Sequence, residues 1–400
     1  MKILMLTPYL PYPPASGGQI RTLNLLKYLS RNNDVTLISL YKNSDEKKYL
    51  PHLKPYCKEV YLCKRPEKPW QFDNIFRAIF SPDPFLIVRN FSQEAKTTLK
   101  TLIEREHFDV IHAETFYIMP HILETDVPIF LVEQTIEYKV YQHFVNSLPV
   151  FVRPFFFLDI LKLKYWERFY WKKALLVGTV SESDKKAITE IEPEIDPVII
   201  PNGAGEDMIA DHLEEKQIDK PILLFVGNFY WLQNTEAAQY LITKVFPLIH
   251  KALPQARLLI AGQNAAHKLK DVLPHPSIEI RDIDPNKSEM MRDVYHEATV
   301  FLAPIFGPGG TRLKILAAMA SGLPVIATKI GMEGLDVVNG KHVLLANTPA
   351  EFVTQTKHIL RDKAFYERIR RAAFELADNQ YSWEKIAQKL EIVYRQIKKS

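Results

Sequence analysis

The sequence predicts an α/β protein built from two doubly wound domains, each a parallel sheet covered by helices. Three observations predict it. Short apolar runs bounded by turn residues alternate with helix-periodic stretches along nearly all of the 400 residues. Residues 3–40 and 299–328 each read strand, glycine loop, helix, strand, which is a βαβ unit. The turn-rich Pro201-Asn202-Gly203-Ala204-Gly205 and the charged run that follows to Lys220 separate two halves of similar size.

In order, residues 3–6 form an apolar strand ending at Thr7-Pro8-Tyr9, and a proline-rich loop leads to Ser16-Gly17-Gly18-Gln19. Leu23, Leu26 and Tyr28 recur at helical spacing between 20 and 30, and 35–40 is the second strand. Gly17 and Gly18 lack the full G-x-G-x-x-G spacing, and no acidic residue closes the second strand for a ribose. A dinucleotide cofactor is therefore not expected. Residues 110–113, 129–132, 176–180 and 198–200 continue the sheet. Ligands of such sheets sit outside the carboxyl ends of the strands, which singles out His112 with Glu114, residues 133–137, Ser181 with Glu182, and Asn202-Gly203. His112 at a strand end suits a ligand site and a satisfied core equally.

Two stretches differ in character. Trp70, Phe72, Phe76, Phe80 and Phe85 lie among Lys64, Arg65, Lys68, Arg77 and Arg89, and a long helical stretch, 138–173, carries the aromatic tip 151–157. Aromatic and basic residues together suit a lipid headgroup layer. A core-facing aromatic stripe with snorkelling lysines fits the part after Leu161 better.

In the second half, 222–226 is a strand, Gly227-Asn228-Phe229-Tyr230-Trp231 a loop, and 234–249 a helix. Strands follow at 257–261, 278–281, 299–303 and 325–328; Thr348-Pro349-Ala350-Glu351 has capping-box spacing, and the last helix covers 382–399. Gly307-Pro308-Gly309-Gly310 can continue neither helix nor ladder, while Leu313, Leu316, Ala317 and Ala320 share one helical face that Gly322 and Pro324 terminate. Arg312 and Lys314 stand at the mouth of that helix. Free backbone N–H groups, a positive dipole end and two cations suit a diphosphate; a tight turn with solvated basic residues is equally compatible. Asp282-Ile283-Asp284 spells the D-x-D of metal-dependent sites, yet loop and cap duties explain these acids better.

Charged residues at 24% and a net charge of +4 give no reason to expect nucleic acid, and 47% hydrophobic residues suffice for buried cores. The pI near 8.7 permits attraction to an anionic membrane. Two cysteines, Cys57 and Cys63, are too few for a disulfide framework, which favours a reducing, cytoplasmic setting. The N-terminal apolar run is too short for a signal peptide, and no stretch reaches the roughly 20 apolar residues of a span. Peripheral contact with the inner face of the cell membrane stays open.

TPYLPYPPASGGQIR at the start, PNGAGEDM at the boundary, LLFVGNFYWLQNTEA beyond it and PIFGPGGTRLKILAAMASGLPVIATKIGMEGL further on resemble, in this order and spacing, the retaining glycosyltransferases of GT-B fold that the sucrose synthases and bacterial mannosyltransferases typify. The resemblance implies an acceptor-binding domain at 1–203, a nucleotide-sugar-binding domain at 204–378, and a C-terminal helix, 379–400, that crosses back onto the first. Across the cleft between them it implies a donor diphosphate held by Arg312, Lys314 and the N–H groups of Gly309, Gly310 and Thr311, with Leu313 alongside and Gly17 and Gly18 opposite. Gly227 and Asn228 would touch the donor, Arg281, Asp282 and Ile283 would border its base, and His112 or Glu114 would stand near the transferred sugar. The implied partners are a nucleotide-sugar donor and a carbohydrate or lipid-linked acceptor, with no metal and no other cofactor.

The chain also departs from that pattern. Gly309 and Ala317 stand where the family has two glutamates eight positions apart, and Asn228 and Gln233 stand where it has an arginine and a lysine. Glu333 is the carboxylate placed to substitute. These departures leave room for a weakly active or silent GT-B protein that partners another transferase or binds glycans, and for an epimerase on nucleotide sugars.

Overall fold

The computed structural model describes the chain except Pro69, Glu206, Asp207, Ile209, Asp211, His212, Leu273, Pro274, Pro285, Asn286, 308–312 and 399–400, and only the backbone of Ser288. It divides into two compact units, one of Met1–Pro201 with Ile386–Ser400, the other of Asn202–Gly307 with Thr311–Lys385. The chain rejoins the first unit at Ile386.

In the first unit, seven parallel strands, β1 (Lys2–Thr7), β2 (Asp34–Tyr41), β3 (Glu59–Lys64), β4 (Val110–Glu114), β5 (Ile129–Glu133), β6 (Leu176–Thr179) and β7 (Val198–Ile199), lie in the order β3-β2-β1-β4-β5-β6-β7. Ile3, Leu4, Met5, Ile111, Phe130 and Leu131 are inaccessible to solvent, as helices on both faces of a parallel sheet require. The helices are α1 (Gly17–Leu29), α2 (Phe72–Phe80), α3 (Phe85–Asn90), α4 (Gln93–Arg105), α5 (Glu137–Ser147), α6 (Pro154–Lys173) and α7 (Glu182–Ile191). Two findings correct the sequence reading. α1 starts at Gly17, so both glycines are its first turn rather than a turn before it. The stretch 138–173 is two helices, because Pro149 cannot continue α5 and Pro154 opens α6 at its first turn.

The second unit contains β8 (Ile222–Val226), β9 (Arg257–Gly262), β10 (Ile278–Asp282), β11 (Val300–Ala303), β12 (Val325–Ala327) and β13 (Leu344–Leu345), parallel throughout and ordered β10-β9-β8-β11-β12-β13. Its helices are α8 (Leu232–Tyr240), α9 (Phe246–Ala252), α10 (Ala265–Lys268), α11 (Ser288–Glu297), α12 (Leu313–Ala320), α13 (Pro349–Arg361) and α14 (Lys363–Tyr381). The capping box at Thr348 and Glu351 opens α13. The final helix, α15 (Trp383–Ile397), passes into the first unit, where Glu391 accepts from the Asn33 amide at 2.7 Å and Lys398 pairs with Asp109 at 2.7 Å. Each sheet reverses its strand order once, between β1 and β4 and between β8 and β11. Those reversals open the ligand-binding crevices of doubly wound sheets.

Candidate functional site

At the first reversal, β4 delivers His112 and Glu114 into a fully buried network. α1 supplies Arg21, one turn beyond Gly18, whose Nε lies 3.4 Å from Glu114 Oε1 and whose Nη1 donates to the Ile200 and Pro201 carbonyls at 3.1 Å each. His112 Nε2 lies 2.9 Å from Glu114 Oε1, and its Nδ1 meets the Tyr394 hydroxyl of α15. A carboxylate only accepts, so Nε2 carries the proton and Nδ1 accepts from Tyr394. Gln134 Nε2 donates to Glu114 Oε2 at 2.6 Å and to the Tyr9 hydroxyl at 3.0 Å. Burial alone would raise the Glu114 carboxyl, but Arg21 and the His112 and Gln134 bonds outweigh it and hold it at about 2.

Neither His112 nor Glu114 is accessible to solvent, and both His112 nitrogens are engaged. Half-buried Tyr9 and Gln134 are the outer groups of the network. Gly18 is pinned against them: a Cβ there would lie 1.8 Å from the Tyr9 oxygen and 2.8 Å from Gln134 Oε1. No side chain caps the N-terminus of α1 and its first turn holds no acid, so the N–H groups of Gly17 and Gly18 keep their dipole end open. Thr115, immediately after β4, has φ 75° and ψ 150°, a conformation almost confined to glycine. Such strain gathers at ligand sites.

In the second unit, Lys314 occupies the first turn of α12. Its ammonium bonds the Asn234 side-chain oxygen at 2.5 Å and lies 4.7 Å from the centre of the Phe225 ring. Asn234 in turn donates to the Asn228 carbonyl at 2.7 Å, and Asn228 Nδ2 to Gln263 at 3.2 Å. The structure therefore joins Lys314, Asn228 and Gly227 at the carboxyl end of β8. Gly227 touches Gly262 backbone to backbone: a Cβ on Gly262, at φ 146°, would fall 1.8 Å from the Gly227 oxygen.

Other expectations fare differently. Gly309, Gly310, Thr311 and Arg312 lie outside the described residues. Leu313 is the half-buried first residue of α12. Arg281 is tied to Glu279 and to Glu297 of α11 at 2.5 Å each, Asp282 accepts the Ala266 N–H at 3.1 Å as α10 begins, and Ile283 is buried in the core. Glu333 is exposed at the end of the short turn Ile330–Met332. Sequence reasoning missed Tyr9, Arg21, Asn234 and Tyr394, while Gln134 falls in the strand-end stretch 133–137 that it singled out. Only Arg21 carried a signal, as a charge on the buried face of α1.

Two surfaces are inverted. α2 buries Asn74 and Ala78 while exposing Phe72 (91%), Phe76 (64%), Ile79 (64%) and Phe80 (72%). Phe151, Phe155, Phe157 and Leu158 are likewise exposed at the start of α6, which Lys162 joins to the end of α2 by bonds of 2.7 Å to the Ala78 and Ser81 carbonyls. Beyond Leu161, Leu163, Tyr170 and Trp171 are core, whereas Tyr165 and Phe169 are exposed. Among the described residues, no helix is long and apolar enough to cross a membrane.

Residues 220–362 match the family described as "Glycosyl transferases group 1". An uncharacterized 44.6 kDa protein in the cps region of Klebsiella pneumoniae is 24% identical over 96% of this chain and 97% of its own length. A phosphatidyl-myo-inositol mannosyltransferase of Mycobacterium leprae is 24% identical over 56% of this chain and 60% of its own. Among solved structures, sucrose-phosphate synthase from Thermosynechococcus elongatus superposes with a TM-score of 0.74 at 17% identity, over 99% of each chain.

Proposed function

We infer that this chain, whose residues 220–362 match the group 1 glycosyl transferases, moves a sugar from a nucleotide-diphosphate sugar to an acceptor hydroxyl with retained anomeric configuration. The observation that carries this reading is Lys314, a cation fixed by Asn234 in the first turn of α12. As the donor bond breaks, negative charge builds on the diphosphate oxygens. Lys314 and Arg312, with the N–H groups of Gly309, Gly310 and Thr311, supply the counter-charge, so that no divalent metal is needed. The acceptor oxygen bonds to the anomeric carbon on the face the diphosphate leaves, and its proton passes to the departing phosphate oxygen. No flanking pair of carboxylates takes part. Gly227, Asn228, Leu313 and Glu333 complete the donor contacts, with Glu333 serving where Ala317 has no acceptor atom.

The acceptor belongs to the first unit. The cps-region relative and the lipid-modifying mannosyltransferase favour surface polysaccharide or glycolipid synthesis. The exposed faces of α2 and of 151–157, with Lys68, Arg77 and Lys164 exposed around them, fit peripheral binding to an anionic bilayer that carries a lipid-linked acceptor. Calorimetry with uridine and guanosine diphosphates, then turnover of a panel of nucleotide sugars, tests the whole. We expect one base to bind and its sugar to be transferred or slowly hydrolysed. No binding and no turnover with any donor would sink the reading and leave a silent partner protein.

A further inference from the structure

We propose that the first unit holds a subsite for a phosphate-class anion on the acceptor, formed by Arg65 and Arg89 with Lys42 at its rim; this rests on the transferase reading above. The three cations come from three places. Lys42 follows β2, Arg65 follows β3, and Arg89 lies in the last turn of α3. The ends of β2 and β3, and the turn Phe116–His121 that follows β4 and carries Tyr117, belong to the carboxyl edge of the sheet, where ligands of this architecture bind.

Folded proteins normally intersperse carboxylates among such charges. Here, among the described residues, none of the three cations has a carboxylate oxygen within 4.0 Å. Arg65 uses Nη1 on the Asn90 side chain, while its Nε and the Nε of Arg89 are buried without any acceptor. Two buried guanidinium N–H groups on one edge mark where acceptor oxygens are missing. The charges also act on one another. Burial pulls the Arg65 guanidinium down to about 10, with Tyr117 opposing and Arg89 adding to the fall. Withdrawal from water and the two guanidiniums lower Lys42 as well. The facing carboxyls are those of Glu46, which acts on Lys42 and Arg65, of Asp159, which acts on Arg89, and of Glu137, which burial pushes up to about 7 against the pull of Arg89. Among the described residues none of them forms an ion pair with the three cations. A monoanionic carboxylate would answer one cation; a phosphate dianion answers two, and its oxygens match the forked N–H groups of arginine.

The test is calorimetric titration of inorganic phosphate, at low salt, into protein saturated with the nucleoside diphosphate it binds. We expect one phosphate site whose affinity falls at least tenfold in the Arg65→Gln/Arg89→Gln variant, with nucleoside-diphosphate affinity within twofold of the parent as the control for folding. Each single variant should lose at least threefold, which keeps the test in hand if the double variant unfolds. Equal phosphate binding by parent and variants overturns the subsite, and so does equal affinity for acetate. If no nucleoside diphosphate binds, the donor reading fails by itself. Phosphate titration of unliganded Lys314→Ala protein then decides the subsite separately.

Discussion

Replacing Glu114 by glutamine removes one charge from the centre of the buried network and leaves Arg21 without its counter-ion. The magnitude follows from the carboxyl itself. Its fall from the ordinary 4.5 to about 2 corresponds to about 3 kcal/mol, at about 1.36 kcal/mol per pH unit. Because Glu114 is inaccessible to solvent, no screening reduces this figure. Arg21 keeps the Ile200 and Pro201 carbonyls, which places the loss at the lower end of the roughly 3–5 kcal/mol for breaking a buried pair. The sign is fixed by the direction of the shift. A depressed carboxyl gives stability that is fully present above its unfolded value and is lost as pH falls through its folded one. The gap between parent and Glu114→Gln should thus be about 3 kcal/mol at pH 7 and narrow to about 1 kcal/mol at pH 3. Urea titration followed by tryptophan fluorescence would read this as a midpoint lower by about 1 M at pH 7, for a slope of about 3 kcal/mol per M. Coincident midpoints, or a gap that stays constant between pH 7 and pH 3, would refute the buried charge.

Four further outcomes follow from the same geometry. Thr115→Gly should stabilise the protein by about 1 kcal/mol, since relief of roughly 1–3 kcal/mol of backbone strain exceeds the entropic penalty of glycine, and a lower urea midpoint would count against the strain. Lys314→Ala should weaken nucleoside-diphosphate binding about tenfold or more by calorimetry, as loss of a charged hydrogen bond of about 1.5–3 kcal/mol requires. Glu137 has the opposite sign to Glu114: its carboxyl is raised to about 7, so the folded state resists ionisation and stability declines as pH rises from 4.5 towards 7. Glu137→Gln should therefore gain about 3 kcal/mol at pH 8 and nothing at pH 4 in the same urea assay. Phe72→Ser with Phe76→Ser should abolish sedimentation with vesicles of anionic lipid while leaving the unfolding midpoint unchanged, because neither ring is buried; vesicle binding equal to the parent's would remove α2 from the membrane contact.

Most strands were legible because their signals are local. An apolar run of four or five residues between turn residues has few alternatives to a buried parallel strand. β3 escaped notice because Glu59–Lys64 is half-buried and carries a charge at each end. α2 was legible as aromatic and basic, yet only the structure set which side faced water. A helix bears its pattern in its own sequence, but Asn74 and Ala78 face inward because of what they meet there.

By itself, the sequence determined the two-sheet architecture, the helix that carries Lys314 and the strand end at His112. Tertiary structure alone decided what those residues do. Glu114 meets Arg21, Gln134 and, through His112, Tyr394, residues separated from their partners by 93, 20 and 282 positions. No periodicity or spacing reaches over such distances. A buried carboxylate is set by the charges folded around it, so its role exists only once the chain has closed.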